Sequence, residues 1–438
     1  MPPMPDNLVA RSLASLWHPC TQMKQHASGE LPLLGVARGK GAWLFDDKGR
    51  RYLDGISSWW VNLFGHCNPR INAALKDQLE RLEHVMLAGF THEPAVQLAE
   101  RLSALTGGAL GHCFYASDGA SATEIALKMS FHFWRNAGRP EKQHFLCLEK
   151  GYHGETVGAL AVTDIPLFRD AYGPLLRPAT VMPTPDGRLA ATPVEAALTA
   201  GSALEAYLER YHGQTAALIV EPLVQCAAGM AMHAPEYLRL ARALCDRFEV
   251  HLICDEIAVG FGRTGTFFAH QQASIRPDFL CLSKGISAGY LPLSAVLTRE
   301  DIYQAFYDDS TAAGFLHSHS YTGNALACRA ALASLDIFAA DDVLAVNGQR
   351  AESIVRGLAP LAERASVRHF RHRGMIFAFD VAADAAFGRR FHRAALEREV
   401  LLRPIGNTVY LMPPYIVDEA EIAHLCRVTG EALEAALP

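Results

Sequence analysis

Apolar residues recur every three or four positions in several stretches of the chain, a spacing that predicts amphipathic helices. Residues 71–82 follow this spacing, and a second helix opens at Pro94 with its apolar positions on one face. Residues 121–134 and 235–248 also predict helices. Short apolar runs lie among these helices, so the middle of the chain alternates between two kinds of element.

The short apolar runs predict strands at residues 112–116, 144–149, 216–222, 251–256 and 278–284. They are rich in Val, Ile, Leu and Cys and do not alternate between polar and apolar positions. Strands of this kind are buried on both faces. Their alternation with helices favours an α/β fold with a mostly parallel sheet that is flanked by helices.

The two ends of the chain differ in pattern from this middle block. We expect residues 67–330 to form a large domain, and residues 1–66 and 331–438 to pack together as a smaller α+β domain. The C-terminal part contains a predicted strand, RGMIFAFDV, followed by a predicted helix, RRFHRAALERE.

The composition narrows the class of protein. The 438 residues are 50% hydrophobic and 20% charged, which allows a large core. With 40 basic and 46 acidic residues the net charge is −6, and no basic block indicates a surface for nucleic acid or an anionic membrane. The longest uncharged stretch, 310–328, is polar, and the N-terminus lacks the apolar core of a signal peptide. We therefore expect a soluble, cytoplasmic protein.

The sequence also argues against a disulfide framework or a metal site. Ten cysteines are present without any CxxC pair, so we expect reduced thiols. Two close histidine pairs, at 317 and 319 and at 369 and 372, have no thiolate or carboxylate that completes them at metal-site spacing.

The segment GFGRTG at 260–265 matches the GxGxxG pattern of dinucleotide-binding proteins. That pattern requires a buried strand directly before its first glycine and a helix around its third. Here Asp255 and Glu256 interrupt the apolar run, and Pro277 soon follows the motif. We interpret the glycines as shaping a loop near the acidic pair.

Two reactive side chains close neighbouring apolar runs. The pair Asp255-Glu256 ends one predicted strand and Lys284 ends the next, and ligands of α/β proteins bind at the carboxyl ends of such strands. Burial beside an apolar run would lower the pKa of Lys284 and make its neutral amine a nucleophile. The alternative from spacing alone is a surface lysine at a strand end.

Two further features extend this group of residues. Gly119 and Ala120 stand directly before a predicted capping box, Ser121-x-x-Glu124, and small residues at a helix start expose N–H groups to a phosphate. An ordinary capped helix is the alternative.

Tyr152 follows another apolar run, where its ring could stack on a planar ligand. An amine, a carboxylate, a phosphate site and an aromatic ring together describe a site for pyridoxal 5'-phosphate (PLP).

Three stretches resemble the class III branch of the aspartate-aminotransferase superfamily: CDEIAVGFGRTG at 254–265, SKGISAGYLPLSA at 283–295 and HSHSYTGNALAC at 317–328. The resemblance extends over essentially the whole chain. It implies the fold-type I architecture of PLP-dependent transferases, with a large PLP-binding domain, a smaller domain and aminotransferase activity.

The resemblance implies a role for each residue of the cofactor site. Lys284 would hold PLP covalently and then move the proton. Asp255 would pair with the pyridine nitrogen, and Tyr152 would stack on the ring. Gly119 and Ala120 would bind the phosphate through their N–H groups.

The resemblance also implies a homodimer with shared active sites. Ser320, where the family often has Thr, would reach the phosphate bound by the neighbouring subunit.

Three more stretches, at 17–23, 56–69 and 401–417, resemble the family members that aminate 8-amino-7-oxononanoate with S-adenosylmethionine in biotin synthesis. In those enzymes paired tryptophans, here Trp59 and Trp60, wall the substrate tunnel. The arginine of the RPxG segment, here Arg403, would bind the substrate carboxylate, and Arg263 and Tyr410 would line the site.

One position departs from this pattern, because Cys20 stands where many of these enzymes have Tyr. Two alternatives also stay open. The chain could be another class III enzyme that acts on diamines, 4-aminobutyrate or β-alanine, or a cofactor-binding scaffold without activity. Lysine serves as the amino donor in some relatives.

Overall fold

The computed structural model describes residues 7–437. Residues 1–6 and residue 438 lie outside the described residues. Both ends belong to the predicted small domain, and residues 1–6 are also part of the N-terminal segment that was predicted not to be a signal peptide.

The strands, in chain order, are β1 (Val36–Lys40), β2 (Trp43–Asp46), β3 (Arg51–Asp54), β4 (His112–Ala116), β5 (His144–Leu148), β6 (Thr180–Met182), β7 (Thr215–Val220), β8 (Val224–Gln225), β9 (Ala231–Met232), β10 (His251–Asp255), β11 (Phe279–Leu282), β12 (Ser294–Thr298), β13 (Val367–Arg373), β14 (Ile376–Val381), β15 (Val400–Leu401) and β16 (Thr408–Leu411).

The α-helical segments, in chain order, are α1 (Leu8–Ser15), α2 (Met23–Ala27), α3 (Ser57–Trp60), α4 (Pro69–Leu79), α5 (Glu93–Leu105), α6 (Gly119–Asn136), α7 (Val157–Ala161), α8 (Pro166–Arg169), α9 (Pro193–Tyr211), α10 (Pro235–Arg247), α11 (Glu300–Gln304), α12 (Ala325–Ala340), α13 (Val343–Ala362), α14 (Phe387–Glu397) and α15 (Glu419–Ala436).

A seven-stranded sheet in the order β4-β12-β11-β10-β7-β5-β6 forms the centre of the molecule. The strands from β11 to β6 pair in parallel, whereas β12 runs antiparallel to both of its neighbours. Every residue of β7, β10, β11 and β12 is buried. The predicted α/β fold with a mostly parallel sheet is confirmed, although β6 and β12 were not among the predicted strands.

The helix that follows β4 begins two residues earlier than predicted. Asp118 is its N-cap residue, and the Asp118 carboxylate accepts the N–H of Ser121 at 2.9 Å. The predicted capping box at Ser121 and Glu124 is therefore wrong. Glu124 instead accepts the N–H of Gly158 at 2.7 Å, from the start of α7.

Strands from both ends of the chain share one sheet. The order is β1-β2-β3-β15, with β15 parallel to β3, and a second small sheet has the order β13-β14-β16. This pairing places the RPxG segment, which follows β15, beside the chain that leaves β3. The division into two domains stays a prediction.

Three findings concern residues 7–437 as a whole. None of their helices combines the length and apolar character needed to cross a membrane. No three of their His, Cys, Asp or Glu side chains cluster closely enough to hold a metal ion. All ten cysteines are free thiols, and most of them are buried.

Candidate active site

A cavity of ≈ 600 Å³ opens at the carboxyl end of the parallel strands. Five strands, β4, β5, β7, β10 and β11, each lead to a residue that lines it, in that order Gly119, Tyr152, Glu221, Asp255 and Lys284. Ligands of open α/β sheets bind at this edge, because side chains from several strands converge there.

Lys284 is the one lysine that lines the cavity among the described residues. It lies two residues after β11 in a left-handed backbone conformation, with φ of 41°. Burial lowers the pKa of its ammonium group, and the Asp255 carboxylate partly offsets that effect. A lowered pKa increases the neutral, nucleophilic fraction of the amine near neutral pH.

Asp255 faces the cavity from the last position of β10. Its Oδ2 lies 2.6 Å from Nδ1 of His153, and its Oδ1 accepts the N–H of Ile257 at 3.0 Å. Both side chains of the Asp255–His153 pair are almost fully buried. The pair fixes the orientation of the carboxylate, which sequence analysis placed against the nitrogen of a cofactor ring.

Tyr152 is held at both its backbone and its phenol. Its N–H donates to Oε2 of Glu221 at 3.1 Å, and its hydroxyl donates to Oε1 of Glu155 at 2.9 Å. Burial raises the pKa of the Tyr152 phenol, so the hydroxyl stays protonated and donates. The ring is thereby fixed at the cavity wall.

Glu221 is a buried carboxyl group at the end of β7. Its second oxygen, Oε1, accepts the N–H of Cys226 at 3.0 Å, and burial raises its pKa to about 7. Glu221, His153 and Glu155 were missed by sequence analysis. Glu221 could have been found, because it is an acidic residue near the carboxyl end of a predicted apolar strand, as Asp255 is.

The start of α6 lies at one end of the cavity. Asp118, Gly119 and Ala120 all line it. The Asp118 carboxylate accepts the N–H of Ser121. The first N–H groups of a helix have no acceptor within the helix, and in α6 these are the N–H groups of Gly119 and Ala120. These two N–H groups, aligned with the helix dipole, can receive a phosphate.

Trp60 and Tyr410 pack beside Lys284. The Lys284 Nζ lies 5.1 Å from the centre of the Trp60 ring, and the Trp60 indole N–H donates to the Tyr410 hydroxyl at 3.2 Å. Trp60 lines the cavity, while Tyr410, buried in β16, supports it from behind. Burial raises the pKa of the Tyr410 phenol.

Trp59, Cys20 and Arg403 lie together at the mouth of the cavity. Trp59 is 43% exposed, and the Arg403 guanidinium lies 5.3 Å from its ring centre. Arg403 also donates to the Cys20 carbonyl at 3.3 Å. The Cys20 thiol lies 3.9 Å from the Glu155 carboxylate, and burial raises the pKa of that thiol.

Four of the predicted site residues do not line the cavity. Arg403 and Tyr410 contact the rings of the tryptophans that line it, whereas Arg263 and Ser320 do not reach it. Arg263 is buried, and its guanidinium donates to the backbone carbonyls of Trp60, Asn62 and Pro413. Ser320 is exposed, and its carbonyl accepts a hydrogen bond from the His84 ring at 2.9 Å. Within this single chain the structure brings neither side chain to the cavity.

The donor set of the cavity fits PLP. The nucleophilic amine of Lys284 suits an aldehyde, the buried Asp255 carboxylate suits a protonated ring nitrogen, and the helix start suits a phosphate. Tyr152 and Ile257 both line the space between these groups and supply the apolar surface that a planar ring requires.

The sequence matches the family model of the class III aminotransferases over residues 24–433. The adenosylmethionine-8-amino-7-oxononanoate aminotransferase of Helicobacter pylori is 46% identical over 428 residues, which are 95% of this chain and 95% of that protein.

Solved structures agree with the sequence match. The crystal structure of the adenosylmethionine-8-amino-7-oxononanoate aminotransferase from Methanocaldococcus jannaschii is similar with a TM-score of 0.91 at 33% identity, covering 98% of each chain. An amine transaminase from an uncultivated Pseudomonas species, in its PLP-bound form, has a TM-score of 0.91 at 32% identity, covering 96% of this chain and 98% of that chain. The chain therefore belongs to the class III aminotransferases, with their fold-type I architecture.

Proposed function

We propose that this protein is a PLP-dependent aminotransferase that makes 7,8-diaminononanoate from 8-amino-7-oxononanoate in biotin synthesis, with S-adenosylmethionine as the amino donor. The observation that carries the proposal is the 46% identity, over 95% of both chains, with a relative that bears the name of this activity. The arrangement of the site supports it, because aromatic side chains lead from Lys284 towards Arg403.

Lys284 is the residue that binds the cofactor and moves the proton. Its lowered pKa supplies the neutral amine that attacks an aldehyde, and after release the same amine takes and returns a proton at the reacting carbon. When bound, PLP carries the amino group between the two substrates and withdraws electrons from the reacting carbon. The Trp60 ring, 5.1 Å from the amine, excludes water from one side of it.

Asp255 keeps a proton on the nitrogen of the cofactor ring. The 2.6 Å contact with His153 fixes its carboxylate, so no reorganisation is needed when charge develops. Across the full cycle the α-amine of the donor becomes a ketone and the C7 ketone of the acceptor becomes an amine. The two halves balance, and no external oxidant or reductant is required.

Arg403 is our candidate for the carboxylate of the acceptor. The acceptor is a long aliphatic chain with a carboxylate at its far end, so it needs an apolar path that ends at a cation. Trp60 and Trp59 provide that path, and Arg403 stands beside Trp59. Cys20, Glu155 and the Tyr152 hydroxyl lie near the mouth and could receive the amino groups of the substrates.

We also propose a cytoplasmic homodimer in which Ser320 binds the phosphate held by the neighbouring subunit. Its support is the exposed position of Ser320 and the exposure of its apolar neighbours, Leu316 at 77% and Tyr321 at 64%. The mass of the particle in solution tests the dimer. Mixing inactive Lys284→Ala subunits with inactive Ser320→Asp subunits tests the sharing, because hybrid dimers would regain one intact site.

A second candidate is an ω-transaminase that acts on simple amines. It is favoured by the structural likeness to an (S)-enantioselective omega-transaminase from Thermomicrobium roseum, with a TM-score of 0.93 at 31% identity over 98% of each chain.

One experiment separates the two candidates. The purified PLP form is mixed with S-adenosylmethionine, 4-aminobutyrate, a simple amine or lysine, one donor at a time, and the cofactor spectrum is followed. We expect S-adenosylmethionine to react fastest. A faster reaction with lysine would change only the donor, and a faster reaction with either of the others would overturn the proposal.

A further inference from the structure

The short segment α3 (Ser57–Trp60) is not a right-handed α-helix, and its backbone is unusual. The four consecutive residues have φ values of 52°, 47°, 73° and 73°, and none of them is glycine. Residues 58 and 59 have ψ values of 50° and 46°, so the segment is one turn of left-handed helix. L-residues avoid this region because Cβ approaches the carbonyl oxygen, so four in succession need external support.

A buried carboxylate supports the start of the left-handed turn. Asp54 has no exposed surface, and its Oδ1 accepts the N–H of Ser58 at 2.8 Å. Its Oδ2 accepts the Ser58 hydroxyl at 2.7 Å and lies 3.1 Å from Nε2 of His66. Asp54 thus binds both the backbone and the side chain of Ser58.

A buried guanidinium supports the end of the same turn. Arg263 is 1% exposed and donates to the carbonyls of Trp60 at 3.4 Å, Asn62 at 3.1 Å and Pro413 at 2.9 Å. Among the described residues it forms no ion pair within 4.0 Å, so its charge is met by carbonyl dipoles. A carboxylate at the N–H end and a cation at the C=O end are the charges that stabilise a helical turn.

The left-handed turn positions the two tryptophans of the cavity. Trp60 lies 5.1 Å from the Lys284 amine, and Trp59 lies 5.3 Å from the Arg403 guanidinium. The turn is also anchored to the segment after β16, where the Ser57 hydroxyl donates to the Met412 carbonyl at 2.7 Å. A change in its φ values would move both rings away from the path between Lys284 and Arg403.

We propose that Asp54 and Arg263 are positioning residues that hold the left-handed turn and thereby set the binding of the long acceptor substrate. The proposal rests on the proposed function for the identity of the acceptor. Neither residue touches the reacting atoms. Their effect passes through the turn to Trp59 and Trp60.

The test exploits the one residue type that adopts positive φ without cost. Asp54→Asn removes the charge that holds the turn, and adding Ser58→Gly relieves the steric cost of positive φ at the residue that Asp54 binds. The matched control adds Ser58→Ala instead, which also lacks the hydroxyl but keeps the Cβ. Each protein is compared for its Kd for 8-amino-7-oxononanoate, its rate with S-adenosylmethionine alone, and its near-ultraviolet circular dichroism without cofactor.

We expect Asp54→Asn to raise the Kd at least about tenfold, as the loss of a hydrogen bond to a charged group predicts. The S-adenosylmethionine rate should change less than about threefold, under one kcal/mol of barrier. The glycine double variant should regain most of the affinity and the tryptophan signal of the native protein, and the alanine double variant should not.

Two results would overturn the proposal. The glycine and alanine double variants could behave alike, or Asp54→Asn could lower acceptor binding and the donor reaction equally, as a general loss of stability would. If the native protein failed to bind 8-amino-7-oxononanoate, the proposed function would fail. The dichroism series would then still decide whether Asp54 holds the turn.

Discussion

The two ends of the cavity are built in different ways. The cofactor end, defined by Gly119, Tyr152, Asp255 and Lys284, takes its functional groups from the carboxyl ends of regular strands and from the segments that follow them. The acceptor end, defined by Trp59, Trp60 and Arg403, takes its side chains from a left-handed turn and from the segment after a two-residue strand.

The two ends therefore differ in what fixes the positions of their backbone and side chains. At the cofactor end only Lys284 has a left-handed backbone, and the buried strands β11 and β12 lie on both sides of it in the chain. Short hydrogen bonds such as that between His153 and Asp255 fix the side chains. At the acceptor end the backbone is strained, and buried charges must hold it. We therefore expect mutations at the first end to abolish chemistry and mutations at the second to change substrate binding.

The largest expected effect follows from loss of the cofactor-binding amine. Lys284→Ala should lower turnover by several orders of magnitude, because the same group supplies the nucleophile and the proton transfer. Lys76→Ala, on the exposed side of α4, is the matched control. Borohydride reduction followed by peptide mapping should label Lys284 in the native protein, and a label on another lysine would refute the assignment.

The next largest effect is expected at the ring nitrogen. Asp255→Asn preserves shape but removes the charge that keeps the nitrogen protonated. The rate with S-adenosylmethionine alone should fall about 100-fold, or roughly 2.7 kcal/mol of barrier. Stopped-flow absorbance of the cofactor measures this rate, and a loss of only about twofold would mean that Asp255 is not the partner of the ring.

At the acceptor end, Arg403→Ala should raise the KM for 8-amino-7-oxononanoate by about 10- to 150-fold, as expected for a charge-assisted hydrogen bond worth about 1.5–3 kcal/mol. The S-adenosylmethionine half-reaction should suffer less. Arg393→Ala is the control, because it removes an exposed guanidinium that, within residues 7–437, donates to the carbonyls of residues 29 and 30. Equal losses in both half-reactions would show that Arg403 does not select the long acceptor.

The last effect concerns the stability of the cofactor end and its pH dependence rather than activity. Burial raises the pKa of Glu221 from its ordinary value of 4.5 to about 7. Between those values only the unfolded chain loses the proton, so this stabilising contribution is present below pH 4.5 and disappears as the pH rises through 7.

The matching measurement compares the native protein with Glu221→Gln. The free energy of unfolding of the native protein should fall by about 3 kcal/mol more than that of the variant between pH 4.5 and 8. Urea titrations at several pH values measure this difference. Parallel pH profiles would show that Glu221 has an ordinary pKa in the folded protein.

The cofactor end could largely be predicted from the sequence. Buried parallel strands read as continuous apolar runs, and the charged residue that follows each run, such as Asp255 or Lys284, must lie at the same edge of the sheet. The exact start of α6 was missed, because Asp118 and Ser121 are both good N-cap residues and only the fold decides between them.

The acceptor end could not be predicted in the same way. No local pattern in SSWW indicates a left-handed turn, because none of the four residues favours positive φ. Its support comes from Asp54, Arg263 and Met412. Asp54 ends the preceding strand β3, and Arg263 and Met412 are far from the turn in the sequence. Arg263 was expected to line the site, but its guanidinium donates to the backbone carbonyls of Trp60, Asn62 and Pro413. The roles of Trp59, Trp60 and Arg403 in substrate binding remain predictions.

The most direct test of the proposed function follows the amino nitrogen that is transferred from S-adenosylmethionine to the acceptor. The PLP-loaded protein is incubated with 8-amino-7-oxononanoate and S-adenosylmethionine whose α-amino nitrogen is 15N, and the diamine product is analysed by mass spectrometry. We expect one 15N atom at C7 of 7,8-diaminononanoate from the native protein, and no labelled diamine when Lys284 is replaced by Ala. A product without the label, or no diamine at all from the native protein, would contradict the proposed function.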